Sequence, residues 1–166
     1  MSMTSPRGRA RRAAGFALLE ALVAVVIASV GFIGAARLQT VGLKMNASAG
    51  LRQKAVLLTY QMTDRMRANQ LGVTAGNYNN VAVGSKACLA SGCTSAELAV
   101  ADMTEWSEDI AGQLPGGSGV VCVDSTPNDG TAIAPACDGV AGAPLAVKIW
   151  WTDSLGTSRF ATMTRP

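Results

Sequence analysis

From Phe16 to Ala36 the chain is apolar for 21 residues, with one charged exception, Glu20. As a helix rising ~1.5 Å per residue, that run is about 31 Å long, close to the ~30 Å hydrocarbon core of a bilayer. No proline occurs between Pro6 and Pro115, so one helix can continue from Phe16 to Asn69, about 80 Å in all. The pattern changes along it. Leu51, Ala55, Leu58, Met62 and Met66 recur at i, i+4, i+7, i+11 and i+15, one face of an amphipathic helix. Lys54, Gln61, Asp64 and Arg65 lie off that face. The lower half is therefore expected to pack on a soluble head, and the upper half to stay exposed to lipid or partner helices. Gly31, Gly34, Gly42 and Gly50 weaken the helix locally. For Gly31 and Gly34 small-residue packing between membrane helices accounts for the choice. Gly72 is expected to begin the break.

Beyond the helix the period shortens. Leu71–Leu89 is rich in Gly and Asn and reads as a loop, with a short strand at Val81–Val83. Thr94–Leu114 reads as a second helix, opened by Thr94 and Glu97 in a capping-box pattern. Ala99, Met103, Trp106 and Ile110 should face the core, and Asp102, Glu105, Glu108 and Asp109 the solvent. Pro115-Gly116-Gly117 ends it. Gly119–Asp124, Leu145–Trp151 and Thr157–Met163 read as strands, with a turn at Thr152–Gly156. Leu145, Val147, Ile149 and Trp151 alternate with Ala146, Lys148 and Trp150. The expected fold is α+β: a long N-terminal helix packed on a small antiparallel meander with a second, shorter helix.

Charge divides the chain. Residues 1–15 hold Arg7, Arg9, Arg11 and Arg12 and no acid. Residues 16–69 hold six basic and two acidic groups, and residues 70–166 four basic and nine acidic. The net +3 therefore comes from the first residues. It does not argue for nucleic acid, and aromatics at 5% offer no stacking platform. The chain has no histidine. The usual general base and the commonest metal ligand are missing, which argues against His-dependent hydrolysis and most zinc catalysis. No nucleophile–base pair, phosphate loop or paired-carboxylate arrangement stands out, so the chain reads as non-enzymatic and without a cofactor.

The cysteines are Cys88, Cys93, Cys122 and Cys137. As a zinc set their second spacing is poor and no histidine helps. Disulfides fit an oxidising compartment, and three pairings are possible. Cys88 with Cys93 would close a small loop at Ser91-Gly92. Cys122 with Cys137 would staple a strand to a long loop, worth ~3 kcal/mol on the loop-entropy picture. That loop holds Asp124, Asn128, Asp129 and Asp138. It lacks the EF-hand spacing for calcium and reads instead as a Pro-Asn-Asp-Gly turn.

The apolar run has three readings: a single-pass anchor, a secretory signal peptide with small residues at Gly34-Ala35-Ala36, or something that requires Glu20. A carboxylate inside a membrane segment is costly and reads as functional. The stretch "GFALLEALVAVVIASVGF" resembles the N-terminus of a type IV prepilin: a basic leader ending in Gly, then Phe, an apolar helix, and a Glu at the fifth mature position. Gly15, Phe16 and Glu20 match those places. Ala17 and Leu19 stand where Thr or Ser and Ile are common. The resemblance implies a prepilin peptidase that cuts after Gly15 and methylates the new amine of Phe16, with Glu20 setting assembly register. "LRQKAVLLTYQMTDRMRANQ", "GGSGVVCVDSTPNDG" and "VKIWW" are similar to the PilV subgroup of minor pilins. On this resemblance residues 1–15 form the cleaved leader, 16–36 the membrane and fibre-core half of the helix, 37–70 its amphipathic half, and 71–166 the head. The N-terminus is cytoplasmic and the head periplasmic before assembly, following the arginines; afterwards the subunit sits at the pilus tip or in the fibre. The implied partners are the peptidase, inner-membrane lipid, other minor pilins, the major pilin and a large tip adhesin that the complex can carry. The implied role is in pilus assembly, supporting adhesion or twitching motility. The rival readings are a type II secretion minor pseudopilin and a membrane-anchored periplasmic binding module or enzyme.

Overall fold

The computed structural model describes residues 14–84, 88 and 92–165, with side chains from residue 17 onward. The leader arginines lie outside the described residues. The chain divides into two units, residues 1–43 and 44–166. One helix, α1 (Ala14–Ala68), runs through the boundary.

The described residues of the first unit are all helix. Its described side chains are all exposed, including Leu18, Leu22, Ile27, Phe32 and Ile33. A Cβ added at Gly31 or Gly34 would meet nothing within 4 Å. Among the described residues nothing covers this apolar surface. The segment is long and apolar enough to cross a membrane.

The second unit holds the core. Ala55, Leu58, Met62 and Met66 are buried and Leu51 packs against them, the face that the periodicity picked out. α1 leaves its helical path at Asn69, whose backbone turns to φ −116°, ψ 59°. Asn69 then caps a short helix, α2 (Gln70–Thr74), by accepting from the Gly72 N–H at 3.1 Å. The break thus falls three residues before Gly72, which lies inside α2. Glycine is needed there for space: a Cβ would stand 2.4 Å from the Asn69 amide nitrogen.

The second helix, α3 (Ser95–Gln113), starts with the expected capping box between Thr94 and Glu97. Ala99, Met103, Trp106 and Ile110 are buried against α1 residues and the sheet. Trp106 donates its indole N–H to the Leu58 carbonyl at 2.8 Å, tying α3 to α1. The expected fully solvated acidic face is wrong in one place: Asp102 is buried.

Three antiparallel strands follow in sheet order: β1 (Ser118–Val123), β2 (Leu145–Asp153) and β3 (Gly156–Thr164). β2 runs two residues past its expected end, so the turn shortens to Ser154-Leu155 between Asp153 and Gly156. Val121, Val147, Ile149, Trp151 and Phe160 join the helices' core. The expected strand at Val81–Val83 does not form. The segment just before it serves the sheet edge instead. The Asn80 N–H donates to the Val121 carbonyl at 2.8 Å, and the Asn79 side chain accepts from the Val123 N–H at 2.9 Å. Asparagines suit that work because Asn tolerates the left-handed backbone that Asn80 adopts at φ 55°.

The alternation in β2 conceals a second buried face. Ala146, Lys148 and Trp150 point away from the helices, yet all are buried. What covers them is the long loop between Asp124 and Ala143.

Candidate functional site

Gly15 and Phe16 lie in the opening turn of α1. Glu20 is exposed on the same helix, one turn after Phe16, and makes no ion pair or hydrogen bond among the described residues. An i, i+4 spacing places Phe16 and Glu20 on one side of the helix. A helical run with no cover of its own carries one unpartnered carboxylate near its start. Such a group needs a partner of opposite charge once water is withdrawn.

The cysteines pair in sequence order. Cys88 bonds Cys93, and Cys122 bonds Cys137. The second bridge joins buried Cys122 of β1 to the loop that covers the sheet. Beneath that loop Lys148 is fully buried. Its ammonium forms an ion pair with fully buried Asp124. It also donates to Asp129 at 3.1 Å and to the Pro135 carbonyl at 2.9 Å. The ammonium thus faces three oxygens, two by hydrogen bonds and that of Asp124 by charge. Asp124 accepts from the Thr126 N–H at 2.9 Å through its other oxygen. Asp129 gains Lys148 and Thr126 as donors, and these hold its carboxyl below the usual carboxylate range. Two of the aspartates considered for calcium, Asp124 and Asp129, are thus committed to an ammonium from the neighbouring strand. Asp138 is tied separately, accepting from Ser125 and from the Val140 N–H. Among the described residues no group of three or more metal-ligating side chains converges.

A second polar cluster joins the helices. Arg65 of α1 reaches Glu105 at 2.7 Å and Asp102 at 3.4 Å. Burial pulls the guanidinium down, but Glu105 and Asp102 outweigh it and hold its pKa above the ordinary value. Tyr78 donates its hydroxyl to Asp102 at 2.5 Å and accepts from the Asn69 amide at 3.2 Å. Burial, then the bond to Asp102, pushes the phenol well above its ordinary value. Asn69 also donates to the Ser95 carbonyl at 2.8 Å. With Tyr78 fully buried, this cluster fastens α1, α2 and α3 to one another. Sequence reasoning put Arg65 and Asp102 on outer faces.

Residues 10–36 match the family described as the prokaryotic N-terminal methylation motif. Comparison with curated proteins and with solved structures found no match. The matched stretch holds Gly15, Phe16 and Glu20. With the α+β architecture, it supports the class of type IV pilins and pseudopilins. The motif implies processing by a prepilin peptidase and assembly with other pilins, and the apolar helix fits an inner-membrane anchor.

Proposed function

We propose that this chain is a PilV-type minor pilin, a non-enzymatic subunit of a tip or priming complex that starts fibre polymerisation. Residues 1–15 are its leader, 16–36 the membrane and fibre-core segment, 37–70 the amphipathic half of the stem, and 71–166 the periplasmic head. The observation that carries the reading is the uncovered apolar half of α1 with Glu20 unpartnered near its start. Cleavage after Gly15 would give Phe16 an amine on the same side as Glu20. In the free subunit the two charges can offset each other. In a fibre Glu20 meets the Phe16 amine of an adjacent subunit, so the cost of a desolvated carboxylate is avoided at one axial register only. Major pilin, other minor pilins and a large adhesin are the partners this assigns.

The test is Glu20→Ala. The variant should insert, be cut after Gly15, begin at methylated Phe16 by mass, and fold its head. It should fail to enter sheared surface fibres and to co-purify other minor pilins. Wild-type levels of both would remove Glu20 from assembly. A wild-type chain found with secretion components and never in surface fibres would make it a type II secretion minor pseudopilin.

A further inference from the structure

The outer face of the β2–β3 hairpin and the loop above it enclose an open pocket of about 430 Å³. Asn128 and Thr131 line it from the loop, and Trp150, Thr157 and Arg159 from the strands. The register explains the grouping. Trp150 of β2 stands opposite Arg159 of β3, and Thr152 opposite Thr157, so Arg159 and Thr157 share the loop-covered face. The loop wall is fixed from below by Lys148 and from the side by Arg159. The Arg159 guanidinium donates to the Gly130 carbonyl at 2.9 Å and also to the Asn128 carbonyl.

Two lining residues have donor capacity to spare. Arg159 spends two of its five N–H groups on those carbonyls and forms no ion pair among the described residues. Trp150 is 97% buried (3% exposed), and its indole N–H has no acceptor among the described residues. Thr131 and Thr157 add hydroxyls, and Asn128 an amide. No carboxylate lines the pocket. The lining is therefore rich in donors and positive, with hydroxyl and amide groups that can both give and accept.

The geometry points to a binding site for a sugar bearing a carboxylate, a uronic acid or the acidic end of a saccharide. The guanidinium would take the carboxylate, and Thr131, Thr157 and Asn128 the ring hydroxyls. The volume exceeds what a bare oxyanion needs and accommodates one pyranose ring. The surrounding head, with nine acidic against four basic groups over residues 70–166, repels polyanions, so a single carboxylate is selected. At ordinary ligand efficiency a monosaccharide of about a dozen heavy atoms binds with a Kd of about 1 mM. The site does not depend on fibre assembly and stands or falls apart from the function proposed above.

The experiment is saturation-transfer NMR with isothermal titration on the full chain in detergent micelles. The probes are sodium glucuronate, glucose and inorganic sulfate. Saturable glucuronate binding is expected, with glucose and sulfate each weaker by about tenfold or more. Arg159→Gln should weaken glucuronate by about tenfold. Because Arg159 also pins the loop, Thr157→Val supplies the second reading: several-fold weaker binding at an unchanged melting temperature. Equal binding of glucose or sulfate would overturn the proposal. So would glucuronate binding that both variants leave unchanged, or no saturation by about ten times the expected Kd.

Discussion

Replacing Lys148 by Met keeps most of the length of the side chain, ending one atom short, and removes its charge and its donors. The ammonium is fully buried and is the ion-pair partner of Asp124, whose carboxylate is fully buried too. Asp124 retains only Thr126 as a donor, on its other oxygen, through the N–H at 2.9 Å and the hydroxyl at 3.4 Å. Asp129 loses Lys148 but is about half exposed, so water can take over there. The Pro135 carbonyl loses its ammonium donor. The dominant loss is therefore at Asp124, and breaking a buried pair in this way costs about 3–5 kcal/mol. The unit spanning residues 44–166 is intermediate in size, for which 1 kcal/mol moves the melting temperature by about 4 °C. A fall of about 12–20 °C is expected at neutral pH with disulfides intact. Adding Asp124→Asn should recover part of it, because the orphaned charge is then gone. The assay is thermal unfolding of the full chain in micelles, followed by near-ultraviolet circular dichroism, which reports the tryptophans packed on both sides of β2. A fall below about 4 °C would refute the reasoning, since it would mean the pair is worth no more than a surface ion pair. A double variant no more stable than Lys148→Met would refute it as well.

Gly119→Ala should destabilise by about 1–3 kcal/mol, because the new methyl would stand 2.6 Å from both Trp106 and Ile110; chemical denaturation measures it, and a neutral result would mean α3 can slide on the sheet. Cys122→Ser should lower stability by about 3 kcal/mol and expose the 124–143 loop to limited proteolysis, while unchanged cleavage would mean that Lys148 and Arg159 hold the loop without the bridge. Asp129, Asp138 and Asp153 are held below the usual carboxylate value, chiefly by hydrogen bonds from Lys148, Ser125 and Ser48. A depressed folded value stabilises above the unfolded pKa of about 3.9 and is lost as pH falls through the folded one. Melting temperatures should therefore hold from neutral pH down to about 5 and drop below about 4; a constant value to about pH 2 would contradict this.

The residues that follow one period were legible in advance. The face from Leu51 to Met66, the capping box at Thr94 and the inner positions of β2 were readable because a single helix or strand decides them. What was not legible depends on a second element arriving. Asp102 lies on the polar side of α3 by spacing, and only the approach of Arg65 and Tyr78 makes its burial tolerable. Lys148 reads as the solvent side of an alternating strand until the loop, closed by Cys122–Cys137, lies over it. The loop aspartates suggested a turn because their partner sits 19 residues from Asp129, on another strand. Asn79 and Asn80 looked like loop filler, though they finish the edge of β1. At the N-terminus the motif was local throughout: Gly15, Phe16 and Glu20 lie within six residues, and their meaning does not wait on the head.

The covering loop is fastened chiefly by its main chain. Lys148 grips the Pro135 carbonyl, Arg159 grips those of Asn128 and Gly130, and the Thr131 N–H donates to the Ala134 carbonyl. Of the side chains, Asp124, Asp129, Asp138 and Cys137 carry the remaining attachment. The side chains of Ala132, Ile133 and Ala134 at the crest carry none of it, and Ile133 is 97% exposed. Carbonyls are the same whichever side chains accompany them. The crest can thus be rewritten without loosening its moorings, as a sign can be repainted while its bolts stay in the wall. This head separates what it displays from what keeps the display in place.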